Sequence, residues 1–138
     1  PALTGLNFKI VGDILECNCT DSYRLARKIL KLNEIVDNDY NIVIPSKNIV
    51  EVSKLLSDDD LNIELHIFNN KILFQYNNLL FQSRLINGTY PNTSNLLPDD
   101  SMLIINTNLN EYYSSIDRAA LLTQSKDKNI VIAKIATE

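Results

Sequence analysis

A chain of 138 residues with 45% hydrophobic side chains suffices for one domain's core, and none of its apolar runs approaches the roughly 18 residues of a membrane span. The formal net charge of −4 argues against a protein that grips nucleic acid by bulk electrostatics. No secretory leader is recognisable, so a soluble, cytoplasmic protein is expected.

In chain order, Leu6, Phe8 and Ile10 alternate, Val11-Gly12-Asp13 supplies turn chemistry, and Leu15, Cys17 and Cys19 alternate again. This predicts a hairpin. The two cysteines, two apart in a strand, share a face, a poor geometry for a disulfide, and are too few for a zinc site; they are expected as small core or half-buried residues. Next, Cys19-Thr20-Asp21-Ser22-Tyr23-Arg24-Leu25-Ala26 interrupts the alternation. Thr20, Asp21 and Ser22 carry short polar side chains that bond back to backbone and favour a turn. Tyr23-Arg24-Leu25 then sets an aromatic, a cation and an aliphatic side by side, a mixture able to line a groove for an apolar peptide anchor and one polar group. The plainer reading is a hairpin in which Asp21 and Arg24 pair with each other or cap backbone.

A strand is predicted from Arg24 to about Leu32, a polar connection over Asn33–Asn41, and a short buried strand at Ile42-Val43-Ile44 ended by Pro45. Ser46 stands where a helix N-cap belongs, and Ile49, Val52 and Leu56 recur at helical spacing. The other face of that helix carries Lys47, Glu51 and Lys54, which suits either a solvated surface or a face turned to DNA. Asp58-Asp59-Asp60 lacks the spaced ligands and glycine of a calcium loop, so no metal site is expected. Three alternating runs, Leu61–Phe68, Lys71–Tyr76 and Leu79–Ile86, are joined by Asn69-Asn70 and Asn77-Asn78 and predict a meander. His66, the single histidine, is expected on its exposed face.

Gly88 to Pro98 has no periodicity and reads as a linker. Beyond it a strand is predicted at Met102–Asn106. Asn108 with Glu111 makes a capping box for a helix whose apolar stripe is Leu109, Tyr112, Tyr113, Ile116, Ala120 and Thr123. Leu121 and Leu122 fall off that stripe, which points either to a partner surface or to packing under a loop. Ile130–Ile135 alternates as a final strand.

Several of these stretches, taken together and in order, resemble the bacterial sliding clamp family, the beta subunit of DNA polymerase III. They are Leu3-Thr4-Gly5, Thr20-Asp21 with Arg24-Leu25-Ala26, Val43-Ile44-Pro45, Ser83-Arg84-Leu85, Gly88-Thr89-Tyr90-Pro91-Asn92, Leu96-Leu97-Pro98 and Asp117-Arg118-Ala119-Ala120-Leu121-Leu122. The resemblance implies an α+β DNA clamp fold, with helices on one face of antiparallel sheets and β-α-β-β-β repeats that are here incomplete. It assigns residues 1–87 to most of the clamp's middle domain without its opening strand and helix, 88–98 to an interdomain linker, and 99–138 to the opening strand-helix-strand of the third domain. On that plan the chain is a cut piece and is not expected to form the ring.

The function implied is that of a processivity factor: two subunits close head to tail into a homodimeric ring that encircles duplex DNA without reading its sequence. Carried over by position, a peptide pocket uses Leu3, Thr20, Ser22, Tyr23, Arg24, Leu25, Pro91, Asn95 and Leu96. Its partners would be the DNA polymerase III alpha subunit, the clamp loader and other proteins bearing a short glutamine- and leucine-rich motif. Ser22 and Tyr23 stand where some members have Gly-His, and Asn95 stands where arginine is common. The family's chain end also lines this pocket, so peptide binding by the present residues is expected to be weak. Lys47, Lys54 and Arg118 would face DNA, and Leu121 and Leu122 would belong to the subunit interface.

Two other classes compete. An enzyme finds no glycine-rich phosphate loop, no metal-ligand spacing and no histidine or cysteine beside a nucleophile, so no catalytic residue and no cofactor are expected. An unrelated α+β peptide-binding module with no DNA role would use the Thr20–Leu25 groove alone.

Overall fold

The computed structural model of the chain describes residues 2–57, 62–121 and 130–136. The chain divides into two compact units, Pro1–Leu97 and Pro98–Glu138.

In the first unit a single 3-10 turn, Ala2–Thr4, leads into β1 (Gly5–Thr20), which pairs antiparallel with β2 (Leu25–Pro45). Pairing runs from Gly5 opposite Pro45 to Thr20 opposite Leu25. Two expectations are corrected here. Val11-Gly12-Asp13 does not reverse the chain: Gly12 takes a φ of +59°, the register shifts on either side of it, and β1 continues through the irregularity. A glycine in the left-handed region is as suited to a bulge as to a turn, and the long partner strand decides which forms. Likewise Asn33–Asn41 is no connection but the middle of β2. Its Asp37, Asn38 and Asp39 are exposed while Val36 and Tyr40 pack on the core, so polar composition reflects a one-sided strand.

Gly5 sits where β1 crowds β2. A Cβ there would lie 2.8 Å from the Ile44 carbonyl oxygen and against the Val43 side chain. Helix α1 (Ser46–Leu55) follows directly from β2. Ser46 is its first helical residue instead of its cap. Pro45 takes the N-cap position, at φ −52° and ψ 126°, without a side-chain capping bond. A proline has no N–H to satisfy and its fixed φ leads readily into a helix. Val52 is the buried residue of α1, with Ile49 partly buried beside it, while Val50 and Leu55 are exposed.

The meander is present as β3 (Glu64–Ile67), β4 (Lys71–Tyr76) and β5 (Leu79–Arg84), in that order in one antiparallel sheet. Asn77 has a φ of +49°, the backbone state a tight hairpin needs and asparagine tolerates. The Ile86 N–H donates to the Val43 carbonyl at 2.8 Å, bringing the end of the meander to β2, and Asn48 Nδ2 of α1 donates to the buried Ser83 Oγ of β5 at 2.7 Å. Phe8, Ile10, Leu15, Ile44, Val52, Ile72 and Phe74 form the resulting core, drawn from both sheets and the helix. Cys17 packs partly against it. Both cysteines are free, and burial pushes the Cys17 thiol pKa up, with Glu16 adding to the shift. His66 is on the exposed face of β3, 3.2 Å from Glu64 Oε2.

The second unit holds α2 (Leu109–Leu121). Asn108 Oδ1 accepts the N–H groups of Asn110 and Glu111, at 3.0 and 3.2 Å, so the asparagine half of the capping box is formed. None of the described residues of α2 is buried, and its stripe of Leu109, Tyr112, Tyr113 and Ile116 stays accessible. Residues 102–106 and 130–135, predicted as strands, join no ladder among the described residues. Alternation supplies a tendency, but a strand exists only with a partner for its N–H and C=O groups, and a unit of about 40 residues has little surface to bury. Residues 58–60, Leu122 and Thr123 lie outside the described residues.

The core predicts a sharp contrast in substitution cost. Ile44→Ala, at a fully buried position, should lower stability in urea by about 2–5 kcal/mol. Ile35→Ala, in the same strand but 77% exposed, should change it by about 0.5 kcal/mol or less.

Candidate functional site

The tip of the β1–β2 hairpin is built almost entirely from the polar side chains that predicted a turn. Thr20 Oγ1 donates to the Arg24 carbonyl at 2.8 Å and accepts the Ser22 N–H at 3.3 Å. Ser22 takes a φ of +74°, and the Asp21 N–H reaches the Arg24 carbonyl at 3.4 Å. Asp21 Oδ1 accepts the N–H groups of Tyr23 and Arg24, each at 3.1 Å, while its Oδ2 accepts Arg24 Nε at 3.0 Å. The Tyr23 amide, joined by the Arg24 amide and guanidinium, holds the Asp21 carboxyl below the usual carboxylate range. The plain expectation that Asp21 and Arg24 pair and cap backbone is therefore met. The pair is exposed, so its worth lies in fixing the turn's shape more than in stability.

This turn also forms one wall of a cleft of about 350 Å³. Thr20, Ser22, Tyr23, Arg24 and Leu25 contribute from the turn, Leu3 from the 3-10 turn at the start of the unit, and Pro91 and Leu96 from the segment after the meander. Of the residues predicted to share a pocket, only Asn95 does not line it. It is exposed on the short 3-10 helix Ser94–Leu96, whose last residue does reach the cleft. Leu3, Tyr23 and Leu96 are exposed and Leu25 is partly buried, so the cleft offers apolar surface to an incoming side chain. The Arg24 guanidinium and the hydroxyls of Ser22 and Tyr23 supply polar contacts. Such a lining is suited to binding an apolar anchor flanked by hydrogen-bonding groups.

Sequence reasoning did not single out the residue that ties the two walls together. Tyr90, 5% exposed, accepts the Thr20 backbone N–H on its hydroxyl at 3.0 Å. Burial raises its pKa, against the lowering effect of that bond. The available signal was an aromatic ring placed before a proline in an otherwise small and polar stretch.

The other predicted residues are not among those that line the cleft. Lys47 and Lys54 are exposed on one face of α1, with Lys54 Nζ paired to Glu51 Oε1 at 3.0 Å. Arg118 is exposed on α2, its Nε donating to the Ser114 carbonyl at 3.2 Å. Leu121, the last residue of α2, is 61% exposed, and Leu122 lies outside the described residues. Among the described residues no group of three or more His, Cys, Asp or Glu side chains is placed to hold a metal ion, and no helix is long and apolar enough to cross a membrane.

Comparison with known proteins agrees with the fold. A family model described as the DNA polymerase III beta subunit, central domain, matches residues 1–92. The beta sliding clamp of Bacillus subtilis is 43% identical over 131 residues, and that of Staphylococcus aureus 37% identical over the same number. Each alignment covers 95% of this chain but 35% and 34% of those relatives, so the chain spans about a third of their length. A crystal structure of the Bacillus subtilis sliding clamp superposes with a TM-score of 0.82 at 43% identity, over 94% of this chain and 34% of that one. A DNA polymerase III beta chain from Streptococcus pneumoniae gives 0.77 at 36% identity, with the same coverage. The chain belongs to the DNA polymerase III beta subunit, or sliding clamp, family, and what it carries of that family is chiefly the central domain.

Proposed function

We propose that this chain supplies the central-domain part of a ring-forming sliding clamp, a non-catalytic processivity factor of DNA replication. Two subunits close head to tail around duplex DNA, and the cleft at the hairpin tip receives short peptide motifs of the DNA polymerase III alpha subunit, the clamp loader and other clamp-binding proteins. The observation that carries this reading is the convergence of three stretches far apart in sequence, at Leu3, Thr20–Leu25 and Pro91–Leu96, on one apolar cleft. The domain division follows the same plan: residues 1–87 from the middle domain, 88–98 a linker, and 99–138 the opening of the third.

In the assembled ring, Lys47 and Lys54 of α1 and Arg118 of α2 face DNA. A net charge of −4 is compatible with that role. A ring that slides holds its track by enclosure and needs only a modest local excess of cations facing it. Lys54 shares its charge with Glu51, which keeps the attraction shallow. Leu121, with Leu122, contributes to the subunit interface, and Asn95 belongs to the rim of the peptide site.

Three outcomes test this reading. In fluorescence anisotropy, a labelled glutamine- and leucine-containing peptide should bind this chain weakly, with a Kd on the order of 100 μM to 1 mM. Leu25→Asp should abolish that binding by placing a charge in the apolar cleft, and an unchanged Kd would remove the cleft from peptide recognition.

In the dimeric clamp, replacing both Lys47 and Lys54 by glutamate should leave dimerisation intact and shorten retention on nicked circular DNA, more so at low salt than at high. Equal retention at all salt concentrations would exclude these lysines from the DNA face.

Because the folded pKa of Asp21 is lowered, its hold on the turn is fully present above its unfolded value of about 4 and is lost as pH falls through the folded value. The Tyr23 and Arg24 amide resonances should therefore shift together in acid, with a midpoint below that of an ordinary aspartate. Asp21→Asn should remove that titration.

A further inference from the structure

The two walls of the cleft come from parts of the chain 70 residues apart, and a buried bond from the Thr20 N–H to the Tyr90 hydroxyl joins them. We propose that Tyr90 is a positioning residue of the peptide cleft: its hydroxyl sets the wall carrying Pro91 and Leu96 at the correct distance from the turn carrying Thr20 to Leu25. This rests on the cleft being the peptide site.

Thr20 is the node of the arrangement. It is the last residue of β1, its hydroxyl is committed to Arg24 and Ser22 inside the turn, and its N–H is committed to Tyr90. Both residues are buried, Thr20 at 7% exposure and Tyr90 at 5%, so water does not readily replace either partner. Pro91 follows directly on Tyr90, and a proline both fixes its own φ and restricts the residue before it to extended backbone. The place of the Tyr90 ring thus dictates where Pro91 enters the wall. From there the buried Thr93 accepts the Leu96 N–H on its carbonyl at 3.1 Å, and Asn92 Oδ1 accepts the Ser94 N–H at 3.0 Å. These local bonds shape residues 92–96 but do not bind them to β1.

Tyr90 is not among the residues that line the cleft, so it acts on a ligand only through the wall. Phenylalanine at this position keeps the ring and its packing but leaves the Thr20 N–H buried without an acceptor. The wall relieves that by lifting and admitting water, which lowers the fraction of molecules in the binding-competent state and weakens apparent affinity by that fraction.

The test compares the unchanged chain with Tyr90→Phe and Leu25→Asp. In Tyr90→Phe, amide hydrogen exchange should accelerate at Thr20 and Leu96 but not at Ile44 and Ile72, and the urea midpoint should change little. Its affinity for the labelled peptide should fall about five- to tenfold, the factor one ordinary hydrogen bond is worth. Unaltered exchange at Thr20 and Leu96 would overturn the inference whether or not the peptide binds, as would acceleration at all four amides, which is general loosening of the fold. Equal peptide affinity for the unchanged chain and Tyr90→Phe would also overturn it. If exchange responds as expected but no peptide binds the unchanged chain and Leu25→Asp is indistinguishable from it, the peptide-site reading fails while the coupling of the walls stands.

Discussion

The antiparallel pairing of β1 with β2, which continues on both sides of the irregularity at Gly12, is the constraint on which the rest of the first unit depends. One end of this hairpin, at Gly5 and Pro45, delivers the chain into α1 and meets the end of the meander through Val43. The other end, at Thr20 and Leu25, projects a short turn whose backbone groups must find partners outside the ladder. The core and the cleft are therefore opposite ends of one ladder. Pairing register couples them, because a shift by one residue would move Leu15 and Cys17 off the core and exchange the sides on which Thr20 and Leu25 stand.

At the cleft end the molecule relies on hydrogen bonds instead of apolar packing. Asp21 binds three donors, Thr20 bonds to both sides of the turn and to Tyr90, and Tyr23 is left 97% exposed. A turn held this way keeps its shape while leaving apolar atoms open to a ligand, which a turn collapsed on its own side chains does not. The exposed Asp21–Arg24 pair contributes little to overall stability, yet it orients Arg24 beside Leu25. Stability and the shape of the cleft are thus supplied by different interactions in different places: burial of Ile44, Val52, Ile72 and Phe74 at one end, and satisfied polar groups at the other.

The second unit shows the reverse balance. Its helix has a proper asparagine cap and an amphipathic stripe, yet it buries none of its described side chains within the unit. Capping and periodicity are enough to place and bound a helix, since both act over a few residues. They do not create the opposing surface that would cover Leu109, Tyr112, Tyr113 and Ile116.

Local chemistry by itself determined much of this protein. The turn at Thr20–Arg24, the meander with its asparagine turns, α1, the cap of α2 and the exposed place of His66 all follow from contacts between residues close in sequence. The family was legible as well, because its motifs survive in order along the chain. Tertiary structure alone decided whether Gly12 reverses a strand or bends it, whether the polar run 33–41 is loop or strand, and whether 102–106 and 130–135 become strands at all. Each of those outcomes depends on whether a partner strand lies alongside, which a period in one segment does not encode. The same holds for Tyr90: its ring and the following proline are visible in the sequence, but the N–H its hydroxyl accepts lies 70 residues away and becomes its neighbour only when the hairpin is complete.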